Sequence, residues 1–337
     1  MKRLVTSFMI MMLVIFMMAC QLDDPLPIPN EQPDVTNQNE NDTPKEKSSK
    51  IVSRDTSTSK TEKGQGGFLW KVEQGDTTVY LQGTVHIGVE DFYPFHEEIE
   101  KAYESSDIIV PEVDVTEIGI LSSLKSTLLH GTYLDGSTVK DHISEEQYTK
   151  LTKVFEEFGL PISVIGYFKP WMLAVTIDQL IAQQLGFVHG VDLYFLERAK
   201  EDGKEIIELE TAEGQLAIFS DTSREFQAKQ LEASLDGIDD FEDEMNQLFS
   251  LYLAGDVDRL LHYLAVEDTT DSDEEDLAFM DALNDQRNVK MAEKIVEFLE
   301  EDSDLTYFVI VGALHLIMEP HIRSILEEKG YKVEHIH

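Results

Sequence analysis

Two histidines stand in the same local setting at opposite ends of the chain. Val79-Tyr80-Leu81-Gln82-Gly83-Thr84-Val85-His86 and Tyr307-Phe308-Val309-Ile310-Val311-Gly312-Ala313-Leu314-His315 are both apolar, β-branched and aromatic runs that end in Gly-x-x-His. Each reads as a buried strand that turns at its carboxyl end, with a glycine where the backbone must turn sharply or pass close to a ligand. Open α/β sheets place their sites at such strand ends. One histidine there is more often a satisfied structural residue; the pair points to chemistry. Two imidazoles with a carboxylate and an open position make a hydrolytic metal site. An ion held in that way lowers the pKa of bound water toward ~7 and polarises a carbonyl. Imidazole and carboxylate ligands suit Zn²⁺, Mn²⁺ and Co²⁺ comparably. No His-Glu-x-x-His occurs, so the one-helix zincin arrangement is excluded.

The carboxylates that would complete the set also follow apolar runs. Glu112 comes directly after Asp107 to Val110 and Pro111, and Glu210 after Glu205 to Leu209. Each is a functional group at a strand exit or a cap for the next segment, and for Glu210 a salt bridge is a strong alternative. Arg287 could stabilise negative charge on a substrate oxygen, with Asn288 as a hydrogen-bond donor. The alternative for Arg287 is an ordinary ion pair with a nearby acid. Asp192 follows Gly190 at an expected helix start and reads first as an N-cap. Serine catalysis has no Gly-x-Ser-x-Gly elbow to rest on, and the acidic run from Asp268 to Asp276 lacks the spacing of an EF-hand loop.

The paired motifs resemble the TraB/GumN family, which includes the Tiki-type metalloproteases. The likeness extends to Val110-Pro111-Glu112-Val113-Asp114, Gly190-Val191-Asp192, Leu209-Glu210-Thr211 and Arg287-Asn288, and spans about residue 68 to the C-terminus. One departure is Leu316-Ile317-Met318-Glu319 after the second histidine, where relatives carry a glycine-containing turn. The resemblance implies a metal-dependent peptidase with Mn²⁺ or Co²⁺. It implies His86 and His315 as metal ligands, Glu112 as third ligand or base, and Glu210 orienting a ligand or binding metal. A second reading, a surface protein that binds or sequesters a peptide without cleaving it, keeps the histidines as stabilisers of the strand turns.

To bring these residues together the chain needs a sheet. A hairpin over Phe68 to Gln82, a helix over Phe95 to Ser105 and a strand over Asp107 to Val110 come first. Helices over 118–130, 144–158, 171–185 and 192–200 follow, then a strand over 205–209. A helix begins near Ala212, and long helices follow over 224–252, 257–265 and 277–300. The second histidine strand, a helix over 320–329 and a last strand over 331–336 close the chain. The fold class expected is α/β, a mixed sheet whose two histidine strands flank a largely helical middle forming a wall or lid.

Ahead of that domain, Lys2 and Arg3 precede an apolar run from Phe8 to Ala19, the length of a signal-peptide core. Met17-Met18-Ala19-Cys20 resembles a bacterial lipobox, and Cys20 is the one cysteine in the chain. The expectation is a leader over 1–19, acylation of Cys20 at the outer face of the cell membrane, and a polar tether over 20–67 too poor in apolar residues to fold. Residues 68–337 form the domain. Lysine and arginine total 27 against 66 acids, a net charge of −39. Such a surface repels phosphate backbones and excludes nucleic acid as a partner.

Overall fold

The computed structural model describes residues 66–265, 273–301 and 303–337. The expected leader, Cys20 and nearly all of the tether lie outside the described residues. The hairpin forms as expected: β1 (Phe68–Gln74) and β2 (Thr77–Thr84) pair antiparallel, Phe68 opposite Gly83 and Gln74 opposite Thr77. Then come α1 (Glu97–Ser105), β3 (Ile108–Pro111), α2 (Ile120–Gly131), α3 (Glu145–Glu157), α4 (Ile162–Ile165), α5 (Pro170–Gln184) and α6 (Val191–Asp202). After these lie β4 (Glu205–Ile206), α7 (Ala212–Ser220), α8 (Arg224–Gly237), α9 (Phe241–Leu253), α10 (Val257–Ala265) and α11 (Glu274–Met280). The last elements are α12 (Gln286–Glu300), β5 (Thr306–Gly312), α13 (Ala313–Ile317), α14 (Ile322–Glu328) and β6 (Val333–His335).

The six strands make one sheet in the order β4-β3-β5-β2-β1-β6. β2, β5, β3 and β4 run parallel, and β1 and β6 run antiparallel to their neighbours. A parallel strand needs both faces covered, and β5 shows why its sequence is a continuous apolar run. Tyr307 stacks on Phe298 of α12, whereas Phe308, pointing to the other face, meets Tyr103 of α1 and Phe195 of α6. Tyr307 through Val311 are buried, each large side chain contributing about 1.5–3 kcal/mol by burial.

The helices form for local reasons readable in the chain. Ser144 and Gln147 build a capping box at the start of α3, and Pro170 occupies the first turn of α5, where its missing N–H is not needed. α5 is buried on most sides, from Trp171 through Ala182, and packs on α8. The helical stretch expected over 224–252 is broken between Gly237 and Phe241, and that over 277–300 contains a π-helical turn at Asp281–Asp285 just before Arg287. The strand expected over 205–209 is regular only at Glu205–Ile206. Its continuation still lies beside β3, with the Leu209 and Glu210 N–H groups donating to the carbonyls of Pro111 and Glu112 at 2.9 and 2.8 Å.

Candidate functional site

Four parallel strands each deliver one of the sequence-derived residues at the same edge of the sheet. His86 follows β2, Glu112 follows β3, Glu210 follows β4, and His315 lies in α13 directly after β5. β2 and β5 are neighbours, with Gly83 opposite Val311 and Thr84 opposite Gly312, so the two glycines sit almost in register. A Cβ on Gly83 would stand 3.3 Å from the Ala313 Cα, so its missing side chain lets α13 close over the end of β2.

Each histidine is held by one ring nitrogen and presents the other. His86 Nδ1 lies 2.6 Å from Asp192 Oδ2, and Thr84 Oγ1 donates to the other Asp192 oxygen at 2.5 Å. His315 Nδ1 lies 2.7 Å from Asn288 Oδ1, and the Asn288 Nδ2 group donates to the Pro320 carbonyl at 2.8 Å. That last bond fixes the amide so that its oxygen faces the ring. Both Nδ1 atoms must therefore be donors, which leaves a lone pair on each Nε2 when the ring is neutral. Both Nε2 atoms are buried and have no hydrogen-bond partner.

Next to them lies a buried ionic cluster. Arg287 Nη2 donates to Glu112 Oε2 at 2.6 Å and to Glu210 Oε2 at 2.7 Å, while Nε spans both Glu210 oxygens at 3.1 and 2.9 Å. Gln215 Nε2 bridges the same two carboxylates at 3.0 and 3.1 Å. The remaining Glu112 oxygen accepts the Gly312 N–H at 2.7 Å and stands 3.7 Å from His315 Nε2. Glu112 thus forms the wall between the histidine pair and the arginine cluster.

The electrostatics follow from these contacts. Burial alone would raise the Glu112 pKa, but the Arg287 guanidinium above all, with the Gly312 N–H, brings it down to about 2. Burial and the same guanidinium push the His315 imidazole down to about 3, so it is neutral. His86 is also drawn down by burial, yet the Asp192 carboxylate on its Nδ1, with Glu112 beyond, leaves it above the usual histidine value. Arg287 is held charged by its two carboxylates against the cost of burial.

The donor set around the two histidines bears on the expected ion. Two buried imidazole nitrogens without a partner fit a divalent cation. Among the described residues, however, no group of three His, Cys, Asp or Glu is gathered closely enough to hold one. Glu112, expected as third ligand or base, has both oxygens engaged, and Glu210, expected to bind metal or orient a ligand, has its oxygens taken by Arg287 and Gln215. Arg287 makes the ion pairs of the alternative reading, with Glu112 and Glu210. Asn288 directs its donor to Pro320 and its oxygen to His315, so it orients an imidazole instead of donating to a substrate.

The positioning roles of three residues are not evident in the sequence. The N-cap expected at Asp192 falls on Gly190, which makes no side-chain bond, and Asp192 turns to His86 instead. The reason is a close approach: Val191 N–H donates to the Val85 carbonyl at 2.9 Å, and a Cβ on Gly190 would stand 2.2 Å from the His86 carbonyl oxygen. Thr84 sits inside the first motif and Gln215 on α7, and neither carries a spacing that marks it. Among the described residues no helix is long and apolar enough to cross a membrane.

Comparison with known proteins agrees with the likeness in the motifs. A protein-family model, the TraB/PrgY/gumN family, matches residues 68–335. The chain is 29% identical over 148 residues to the uncharacterized protein YbaP of Escherichia coli (strain K12), covering 43% of this chain and 53% of that protein. It is 22% identical over 318 residues to Metalloprotease TIKI1 of Danio rerio, covering 80% of this chain and 63% of the relative, and 22% identical over 324 residues to Metalloprotease TIKI2 of Xenopus tropicalis, covering 82% and 61%. The chain thus spans roughly half to two thirds of the length of these relatives. No solved structure matches significantly. With a family model matching residues 68–335, nearly all of the described part, this chain belongs to the TraB/PrgY/gumN family.

Proposed function

We propose that the protein is a metal-dependent hydrolase of the peptidase type, acting on peptide or protein substrates at the outer face of the cell membrane, where an acylated Cys20 anchors it. The observation that carries this reading is the pair of buried imidazoles on adjacent parallel strands, each with Nδ1 committed and Nε2 without a partner. His86 and His315 would hold the ion, Mn²⁺ or Co²⁺ by family likeness, with Zn²⁺ also suited to these donors. When bound it would supply a water of lowered pKa and a Lewis acid for the substrate carbonyl. Asp192 and Asn288 orient the two rings. Glu112, ionised and 3.7 Å from His315 Nε2, would take a proton once its oxygen leaves the Gly312 N–H. Arg287, Glu210 and Gln215 set where that carboxylate stands. The relatives named metalloproteases support the same class of chemistry.

The test is digestion of an unbiased peptide library by the full chain, with and without chelator. Cleavage that chelator removes and Mn²⁺ or Co²⁺ restores is the expected result; cleavage indifferent to chelator contradicts it. A second reading, a peptide-binding protein without turnover, is favoured by the absence of an assembled three-ligand group among the described residues. Stoichiometric peptide capture with no cleavage in any metal would select it.

A further inference from the structure

A cleft of about 480 Å³ runs between α7 and α12 behind the ionic cluster. Its floor is apolar, from Leu209, Ile218 and Ala282, and its inner end is the Arg287–Glu210–Gln215 group itself. Lys290 and Lys294 project into it from successive turns of α12. This is an unusual lining in a chain with 66 acids and 27 basic residues. Among the described residues Lys290 makes no ion pair, and Lys294 donates only to the backbone carbonyl of Glu208 at 3.1 Å. Glu293 and Glu297 line the same cleft, and neither is joined to these lysines. The start of α7, with its N-cap Thr211 and first-turn Gly214, opens on the same space and adds the positive end of its helix dipole.

An apolar floor with two ammonium groups on one wall, neither joined to a carboxylate, fits a carboxylate carried next to a short apolar side chain. We propose that this cleft binds a peptide carboxylate, with Lys290 and Lys294 as its counter-charges. The inference deepens the peptidase reading, because peptide hydrolysis leaves a new α-carboxylate and this cleft shares Arg287 and Glu210 with the candidate site. The carboxylate has two possible sources, the C-terminus of a peptide or an acidic side chain within it.

The experiment is calorimetric titration of the full chain with three probes: acetyl-Ala-Ala-Leu as the free acid, the same peptide as its C-terminal amide, and acetyl-Ala-Glu-Leu-amide. Binding is read directly, so the result does not depend on turnover, and failure of the peptidase reading leaves it interpretable. The expected result is that at least one carboxylate-bearing probe binds about ten-fold or more tightly than the neutral amide, as one charge-assisted hydrogen bond supplies. Preference for the free acid identifies the C-terminus as the source, and preference for the glutamyl probe identifies a side chain. The exposed double variant Lys290→Glu, Lys294→Glu should abolish the preference, and Lys290→Arg should retain it. Equal affinity for all three probes, no binding of any, or a preference untouched by the double variant would overturn the assignment.

Discussion

A neutral imidazole is a good ligand only if the proton on its other nitrogen has somewhere to go. Asp192 and Asn288 supply that place for His86 and His315 respectively, by chemically different means. The carboxylate raises the basicity of its ring, whereas the amide, locked by Pro320, fixes orientation without adding charge. His86 is accordingly held above its usual pKa, and His315 well below. Asp192→Ala should therefore lower the His86 pKa, read by NMR titration of its ring protons. It should also weaken divalent-ion binding by about 10–100-fold. An unchanged affinity would show that the aspartate serves only to hold the loop.

At the scale of elements, the site is an edge made by β2, β5, β3 and β4, with α6 and α12 bringing second residues to the strand ends. Gly190→Ala tests the seam between α6 and the His86 loop. The added Cβ would meet the His86 carbonyl at 2.2 Å, so the loop or the start of α6 must move. A loss of about 1–3 kcal/mol in chemical denaturation is expected, with weakened metal binding. Full retention of both would show that the seam yields without disturbing the ring.

The strands and most helices were legible because their causes are local. β2 and β5 are apolar, β-branched runs with a glycine at or one residue before their end, and Pro111 and Pro170 mark boundaries by rules that need no partner. The residues that orient the site were not legible, because their roles arise across the fold. Asp192 meets His86 over a separation of 106 residues, and Gln215 meets Glu112 over 103. Arg287 offered two roles in the sequence, and only the approach of Glu210 to Glu112, set by the ladder beside β3, selects the ion pair. The break between α8 and α9 was missed because its Asp239-Asp240 pair is compatible with a helix surface.

For the molecule as a whole, stability against pH carries a signature separate from the site. Asp178 on α5 is buried, with Ser234 Oγ of α8 at 3.3 Å, and burial raises its pKa to about 8 from 3.8. The folded state therefore keeps a proton that the unfolded chain has lost. Its contribution is fully present below the unfolded pKa and declines as pH rises from there to about 8, by about 1.4 kcal/mol per pH unit. Asp178→Asn should accordingly gain stability relative to the parent as pH rises from 5 to 8, measured as a growing difference in Tm. A difference that stays constant with pH would mean that the carboxyl group ionises without penalty.

The measurement closest to the central claim is titration of the metal-free full chain with Co²⁺, read by its visible absorption and by metal content after gel filtration. The account predicts one ion per chain with imidazole ligation, lost alike in His86→Ala and in His315→Ala while the far-ultraviolet circular dichroism stays that of the parent. One tightly held ion retained in either variant would contradict the claim that the two strand-end imidazoles share a single cation.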